Sequence, residues 1–175
     1  MKAMQTPITV DKINCLKAGD EVLLNGAIYT ARDQAHKRLN GLIKSNKKLP
    51  FDLKRRTIYY CGPTQTPKGK VIGSCGPTTS KRMDIFTPLL LKSGLKAMIG
   101  KGERSKEVIN AIKKYKAVYL LAPAGCGALL SKFVVKKELV AFKDLGPEAI
   151  YRLEVKDFPV IVGIDAKGRS VFNNI

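Results

Sequence analysis

The chain has 175 residues, 45% of them hydrophobic, and so is long enough to bury a core without disulfide or metal cross-links. It carries 32 Lys and Arg against 14 Asp and Glu, a net charge of +18, which indicates a polyanion, an acidic protein partner or a strongly charged surface. Aromatic residues are only 7% and do not alternate with basic ones, so base stacking and direct nucleic-acid binding are disfavoured.

The spacing of the four cysteines argues against a metal site built from this chain alone. Cys15, Cys61, Cys75 and Cys126 form no C-x-x-C pair, and the single histidine, His36, cannot complete a local zinc set. No apolar run reaches the length of a membrane span, and the N-terminus has no signal-peptide pattern. We therefore expect a cytoplasmic protein with reduced thiols, no membrane contact and no bound metal.

The N-terminal region predicts antiparallel strands. Residues 8–10 and 21–24 have the composition of strands. Asn25-Gly26 is the strongest hairpin signal in the chain and leads to a third predicted strand at 27–30.

A helix is predicted after this third strand, because apolar residues recur with helical spacing over 35–43. Asp33 is then its N-cap or first-turn acid, and Arg32 lies at the strand-to-helix junction. Taken alone, a surface ion pair with Asp33 explains Arg32, and a satisfied helix histidine explains His36.

The segment 71–84 has the pattern of an anion-binding turn between a strand and a helix. A Gly-Pro turn is followed by three hydroxyl residues beginning at Thr78, and helical spacing then extends over 83–91. Free N–H groups at a helix start, capping hydroxyls and the planar donor fork of Arg82 all suit a carboxylate or phosphate. An ordinary capped helix with a solvated arginine explains the same local pattern.

The tetrapeptide Cys-Gly-Pro-Thr occurs twice, at 61–64 and at 75–78. Each copy follows a predicted strand, so we expect the two turns to line one surface. A cysteine beside Gly-Pro is by default a small buried hydrophobic residue rather than a ligand or nucleophile.

A third cation, Lys101, follows the strand predicted at 97–99 and lies between two glycines, which leave its ammonium free to face a ligand. The Gly-Lys-Gly sequence lacks P-loop spacing, which excludes ATP or GTP binding at this point. The remaining elements are a helix and a series of strands: helix 105–116 and strands 117–122, 134–135, 139–142, 150–155 and 160–164.

Arg32, Arg82 and Lys101 each follow a predicted strand. Loops at the strand ends of an α/β sheet gather at one edge, so the three cations form a candidate clamp for a small dicarboxylate. The sequence shows no convincing acid/base set and no Ser-His-Asp arrangement. We therefore expect this chain to supply half of an active site.

Three motifs resemble the β subunit, or C-terminal domain, of the class I iron–sulfur fumarate hydratase and L-tartrate dehydratase family. The resemblance covers nearly the whole chain, and its most specific parts are Ala31-Arg32-Asp33-x-Ala35-His36, Gly76-Pro77-Thr78-Thr79-x-x-Arg82-Met83-Asp84 and Gly100-Lys101-Gly102. It implies a single α/β domain over 1–175, of the swivelling β/β/α type, with a mixed sheet and antiparallel hairpins at the N-terminus.

The resemblance also implies a function and a partner. The expected reaction is reversible hydration of fumarate to (S)-malate, with an α subunit that carries a [4Fe-4S] cluster and no cofactor bound by this chain alone. Arg32, Thr78, Arg82 and Lys101 are implied to bind substrate. Thr78 is implied to lie near the reacting carbon, and Thr78, Asp33 and His36 are the candidates for proton movement or orientation.

Two alternatives stay open. An L-tartrate dehydratase β subunit would differ in substrate by one hydroxyl, and no residue here decides between the two acids. A polyanion- or nucleic-acid-binding module would explain the +18 charge, and its affinity would fall steeply with salt.

Overall fold

The computed structural model describes residues 1–174, which fold into a mixed sheet with helices packed against it. The strands are β1 Lys2–Thr6, β2 Glu21–Thr30, β3 Thr57–Tyr59, β4 Ala97–Gly100, β5 Val118–Leu121, β6 Val134–Ala141 and β7 Ile150–Ile164. The α-helices are α1 Val10–Asn14, α2 Asp33–Lys44, α3 Thr87–Lys92, α4 Lys106–Tyr115 and α5 Gly127–Leu130, and the 3₁₀ helices are Ser80–Met83, Ser131–Phe133, Lys143–Glu148 and Val171–Asn174.

The sheet closes into a small barrel because β2, next to one edge strand, also pairs with β7, next to the other edge strand. The strand order is β1-β2-β3-β4-β5-β7-β6, and β2 also pairs with β7. Neighbours from β1 to β5 are parallel, whereas β7 is antiparallel to β2, β5 and β6. Within the 15 residues of β7, 150–155 pair with β6, 152–161 with β2 and 161–164 with β5. This arrangement confirms the predicted α/β class with a mixed sheet.

Alternating residues of the strands supply two separate hydrophobic cores. Tyr59 and Ile99 belong to a core that also receives α1, whereas Ile58 and Met98 belong to a core covered by α2, α3 and α4. This alternation is the period of two expected for strands that are buried on both faces. Within residues 1–174, no helix is both long and apolar enough to cross a membrane.

The predicted hairpin at Asn25-Gly26 is wrong. β2 continues through this dipeptide, and its pairing with β7 shifts register between Leu24 and Gly26. Gly26 has a φ of +101°, which suits a bulge as well as a tight turn. Pairing with β7 on both sides of the bulge therefore overrides the local turn signal.

The strand predicted at 8–10 is also wrong, and with it the antiparallel start of the chain. Thr9 is instead the N-cap of α1, and its side chain accepts from the N–H of Lys12. The first strand lies upstream, as β1, and pairs in parallel with β2.

Further elements differ from the predicted ones: the strand expected at 71–72 is irregular, and the strands expected at 134–135 and 139–142 are one strand, β6. The helix expected over 83–91 is a 3₁₀ turn followed by α3, and Pro88 in the first turn of α3 fits a helix start rather than a helix interior. The last two predicted strands are one strand, β7, in which Asp157 has a φ of +51° between its two halves.

A buried ion pair joins the site-bearing segment to the helical core. Arg104 Nε donates to Asp84 Oδ1 at 2.6 Å, and Asp84 Oδ2 accepts from the N–H of Ser105, the N-cap of α4. The Arg104 guanidinium also lies over the rings of Tyr60 and Tyr119, at 5.2 and 4.9 Å from their centroids. These contacts connect the end of β3 and the strand β5 to two other segments. One contains Asp84 and precedes α3, and the other contains Ser105 and begins α4.

Replacing Arg104 by Met should lower the free energy of unfolding by about 3–5 kcal/mol, because it leaves the Asp84 carboxylate buried without a counter-ion. The double variant Arg104→Met/Asp84→Asn should recover much of this loss, since the amide oxygen can still accept from Ser105. Urea unfolding of the wild type and both variants measures the effect. A single variant as stable as wild type would contradict this account of the pair.

Candidate active site

Arg32, Asp33 and Arg82 form one chain of charges at the N-terminus of α2. Arg82 Nη2 donates to Asp33 Oδ2 at 3.1 Å, and Arg82 Nε lies 3.1 Å from Asp33 Oδ1. Arg32 Nη2 lies 3.7 Å from the same Oδ2 and 3.6 Å from Glu148 Oε1. The side chains of Arg32 and Arg82 are 28% and 51% exposed, so both guanidiniums remain accessible to a ligand.

The first Cys-Gly-Pro-Thr turn packs directly on Arg32. A Cβ added at Gly62 would lie 2.9 Å from Arg32 Cδ and 3.2 Å from the carbonyl oxygen of Pro147, so no larger residue fits without movement. Arg32 Nε is buried here and has no hydrogen-bond partner among the described residues. The glycine therefore lets the arginine lie flat against the turn.

The two Cys-Gly-Pro-Thr turns lie side by side, as predicted. The N–H of Thr64 in the first turn donates to the carbonyl of Ser74, just before the second turn, at 2.9 Å. The N–H of Thr78 donates at 2.6 Å to the carbonyl of Tyr60, at the end of β3. Thr78 itself is partly exposed.

Lys101 is held beside the segment that carries Thr78 and Arg82. Thr79 and Lys101 form an isolated parallel bridge, and the N–H of Lys101 donates to Ser80 Oγ at 3.0 Å. Ser80 approaches so closely that a Cβ at Gly100 would lie 1.9 Å from its Oγ. The Lys101 ammonium makes no ion pair within residues 1–174. Asp33 thus links Arg32 to Arg82. The short segment 78–82, which contains Arg82, is linked to Lys101.

The chain matches the family model described as fumarase C-terminus over residues 2–175. It belongs to the fumarase C-terminus family. A putative L(+)-tartrate dehydratase subunit beta of Methanocaldococcus jannaschii is 44% identical, over 96% of this chain and 89% of that protein. The L(+)-tartrate dehydratase subunit beta of Escherichia coli K12 is 34% identical, over 97% of this chain and 86% of that protein.

Fumarate hydratases are related through only part of their length. The anaerobic class I fumarate hydratase of Escherichia coli K12 is 43% identical over 87% of this chain, which spans 28% of that longer protein. Fumarate hydratase 1 of Leishmania major is 42% identical with the same coverage. These matches confirm the family resemblance stated from the motifs.

His36, the only histidine of this fumarase C-terminus chain, is fully buried and does not reach the surface that carries the cations. Its Nδ1 lies 2.8 Å from the carbonyl oxygen of Arg32, and its ring packs edge-on against Tyr60. Burial lowers the pKa of His36 to about 4, an effect to which the nearby Arg104 charge adds and which the Arg32 carbonyl opposes. The geometry gives the neutral ring the role of holding the Arg32 backbone, and its part in proton movement stays a prediction.

The cysteines do not offer a cluster site in the described part of this family member. Cys61 and Cys75 are buried as predicted, and burial raises the pKa of Cys75 to about 12 and that of Cys61 still further. Cys15 is exposed and Cys126 partly exposed. Across residues 1–174, no three His, Cys, Asp or Glu side chains are grouped as metal ligands.

Sequence reasoning missed two residues that shape the site. Glu148 accepts from the N–H of Gln34 at 2.9 Å and faces Arg32, although it lies more than a hundred positions away along the chain. Arg104 lies in the charged run after Lys101, yet its side chain is fully buried. No local pattern distinguishes either residue from its exposed neighbours.

The buried histidine predicts a pH dependence of stability. The unfolded chain protonates His36 near its ordinary pKa of 6.5 and the folded chain only near 4, so the unfolded state binds more protons between these values and stability falls as pH falls through this window. Between about pH 7.5 and about pH 5, His36 should account for a loss of about 2 kcal/mol. Urea unfolding at both pH values checks this, and His36→Asn should lose correspondingly less; equal losses in the two proteins would contradict the prediction.

Proposed function

We propose that this chain is the β subunit of an iron–sulfur hydro-lyase that interconverts fumarate and (S)-malate. The observation that carries the proposal is that Asp33 joins Arg32 and Arg82 by ion pairs between partly exposed side chains. The segment that carries Thr78 and Arg82 also pairs with Lys101, through a backbone bridge at Thr79. Family membership over residues 2–175 supports the same assignment, and supports residues 1–175 as one functional domain.

The proposed partner is an α subunit that carries the [4Fe-4S] cluster. Two full-length relatives are named as β subunits, whereas the matching region is about a quarter of the longer fumarate hydratases, which supports an enzyme built from this unit and a second one. When bound in the α subunit, the cluster would supply Lewis-acid chemistry. The described cysteines of this chain do not fit a cluster, so its own contribution is binding and orientation.

The cations of this chain are suited to hold a dicarboxylate at both ends. A guanidinium binds a carboxylate through two parallel N–H donors, and the Lys101 ammonium adds a compact point charge. Negative charge that builds up on a substrate carboxylate during hydration or dehydration is stabilised by such fixed cations, most strongly once a partner subunit excludes water. The clamp therefore contributes both affinity and transition-state stabilisation.

Thr78 is the proposed hydroxyl nearest the reacting carbon. Its backbone is fixed by the hydrogen bond to Tyr60 and by the neighbouring bridge between Thr79 and Lys101. A neutral threonine is a weak base, so a proton-transfer role requires cations that favour its alkoxide. Lys101 and Arg82 are the candidates for that electrostatic support.

Dehydration of L-tartrate is the second candidate, because the tartrate dehydratase β subunits match this chain almost from end to end as separate subunits. Anaerobic co-expression with the product of the neighbouring reading frame, followed by turnover assays with fumarate, malate and tartrate, tests both candidates. Activity in the complex and none in the isolated chain supports the proposal, and the preferred acid identifies the reaction. No turnover, together with salt-sensitive polyanion binding, would overturn it in favour of the charge-based alternative.

Arg82→Ala and Lys101→Ala should each lower kcat/KM of the complex by about 100-fold, since each removes a hydrogen-bonded contact from a charged group, worth roughly 1.5–3 kcal/mol in a protein. Arg38→Ala is the matched control, because Arg38 pairs with Asp144 on the exposed side of α2. Its kcat/KM should equal that of the wild type. Normal turnover in Arg82→Ala would remove Arg82 from the proposed site.

A further inference from the structure

Asp33 contacts only one side of the Arg82 guanidinium. The carboxylate lies along the Nε/Nη2 edge, with both separations at 3.1 Å. Arg82 Nη1 makes no hydrogen bond to any residue within 1–174, and the Arg82 side chain is 51% exposed. A guanidinium has a second edge, Nη1/Nη2, that can also receive a carboxylate, and here that edge is open.

Asp33 also lies between two like charges. Its Oδ2 is 3.1 Å from Arg82 Nη2 and 3.7 Å from Arg32 Nη2, so one carboxylate oxygen faces both guanidiniums. Without this anion, two cations so close would repel each other and their side chains would move apart. Asp33 occupies the first turn of the 12-residue helix α2, where the helix dipole favours a negative side chain.

Glu148 completes the arrangement from the other side. Its Oε1 lies 3.6 Å from Arg32 Nη2, while its Oε2 accepts from the N–H of Gln34 at the start of α2. Arg32 is therefore held between two carboxylates, and Arg82 is held by Asp33 alone. Loss of Asp33 thus affects Arg82 more than Arg32.

We infer that Asp33 is a positioning residue that keeps Arg82 beside Arg32 and presents the free Nη1/Nη2 edge of Arg82 to a substrate carboxylate. It acts through Arg82 and carries no proton in the reaction. The substrate part of this inference rests on the proposed function, whereas the hold of Asp33 on Arg82 does not. The expected change on removing its charge is mainly in KM, because Arg82 already binds the substrate carboxylate in the ground state, with a smaller change in kcat, because the same contact stabilises charge in the transition state.

The kinetic test compares Asp33→Asn, Asp33→Glu and wild type in the complex with the partner subunit. Asp33→Asn should raise KM for the dicarboxylate by about 10- to 100-fold, and the fall in kcat should be smaller than the rise in KM. Asp33→Glu should restore part of the lost affinity. Asp144→Asn is the matched control, since it breaks a two-point contact with Arg38 elsewhere on the protein and should leave KM unchanged.

A second measurement does not depend on activity. In the isolated chain labelled with ¹⁵N-arginine, rotation of the Arg82 guanidinium about its Nε–Cζ bond should be slow in wild type and Asp33→Glu. It should be at least about tenfold faster in Asp33→Asn, the factor that corresponds to loss of one charged contact. Near-ultraviolet circular dichroism verifies that each variant is folded.

The outcomes separate the two proposals. A fall in kcat with unchanged KM in Asp33→Asn would make Asp33 a proton carrier, and a fall in KM would make it a competitor of the substrate; either result overturns the inference. Unchanged Arg82 rotation would also overturn it. Absence of any hydro-lyase turnover in the wild-type complex would overturn the proposed function, and the rotation rates would still decide whether Asp33 holds Arg82.

Discussion

The buried ion pair between Arg104 and Asp84 is the constraint on which the candidate site depends. It fixes Asp84, the residue that directly follows the 3₁₀ helix Ser80–Met83, and Arg82 lies in this short helix. A buried pair of this kind contributes little net stability, because desolvation of both ions opposes their attraction. Its value lies in geometry, since the same guanidinium contacts Tyr60 and Tyr119 and so sets the distance between the site segment and two strands.

The polar residues of the site lie in two layers, one buried and one at the surface. Below the surface, His36 is neutral and packed against aromatic rings, and it holds the Arg32 backbone without carrying charge. At the surface, Arg32, Arg82 and Lys101 keep their charges partly exposed, with Asp33 reducing the repulsion between the two arginines. The overall charge of +18 adds a long-range field that attracts small dianions and also an acidic partner surface.

The motif-bearing loops could be predicted from sequence because their signals are local. Arg32 and Lys101 follow strands, and the helices α2 and α4 form, where residue spacing indicated, whereas Arg82 follows an irregular segment in place of the strand expected at 71–72. The errors arose where distant partners decide the structure: the Asn25-Gly26 turn signal yields to pairing with β7, and Glu148 reaches the start of α2 only through the closed sheet. Arg104 was missed because a buried arginine differs from an exposed one only by its surroundings.

We propose that these three cations bind one dicarboxylate at a surface completed by the partner subunit. A crystal structure of the complex with bound malate tests it most directly. We expect one carboxylate within hydrogen-bond distance of Arg82 Nη1 and an ammonium contact from Lys101, with Thr78 facing the carbon chain. Malate bound instead in the groove of about 520 Å³ between Pro67–Ser74 and Ala128–Val134, with all three cations free, would contradict it.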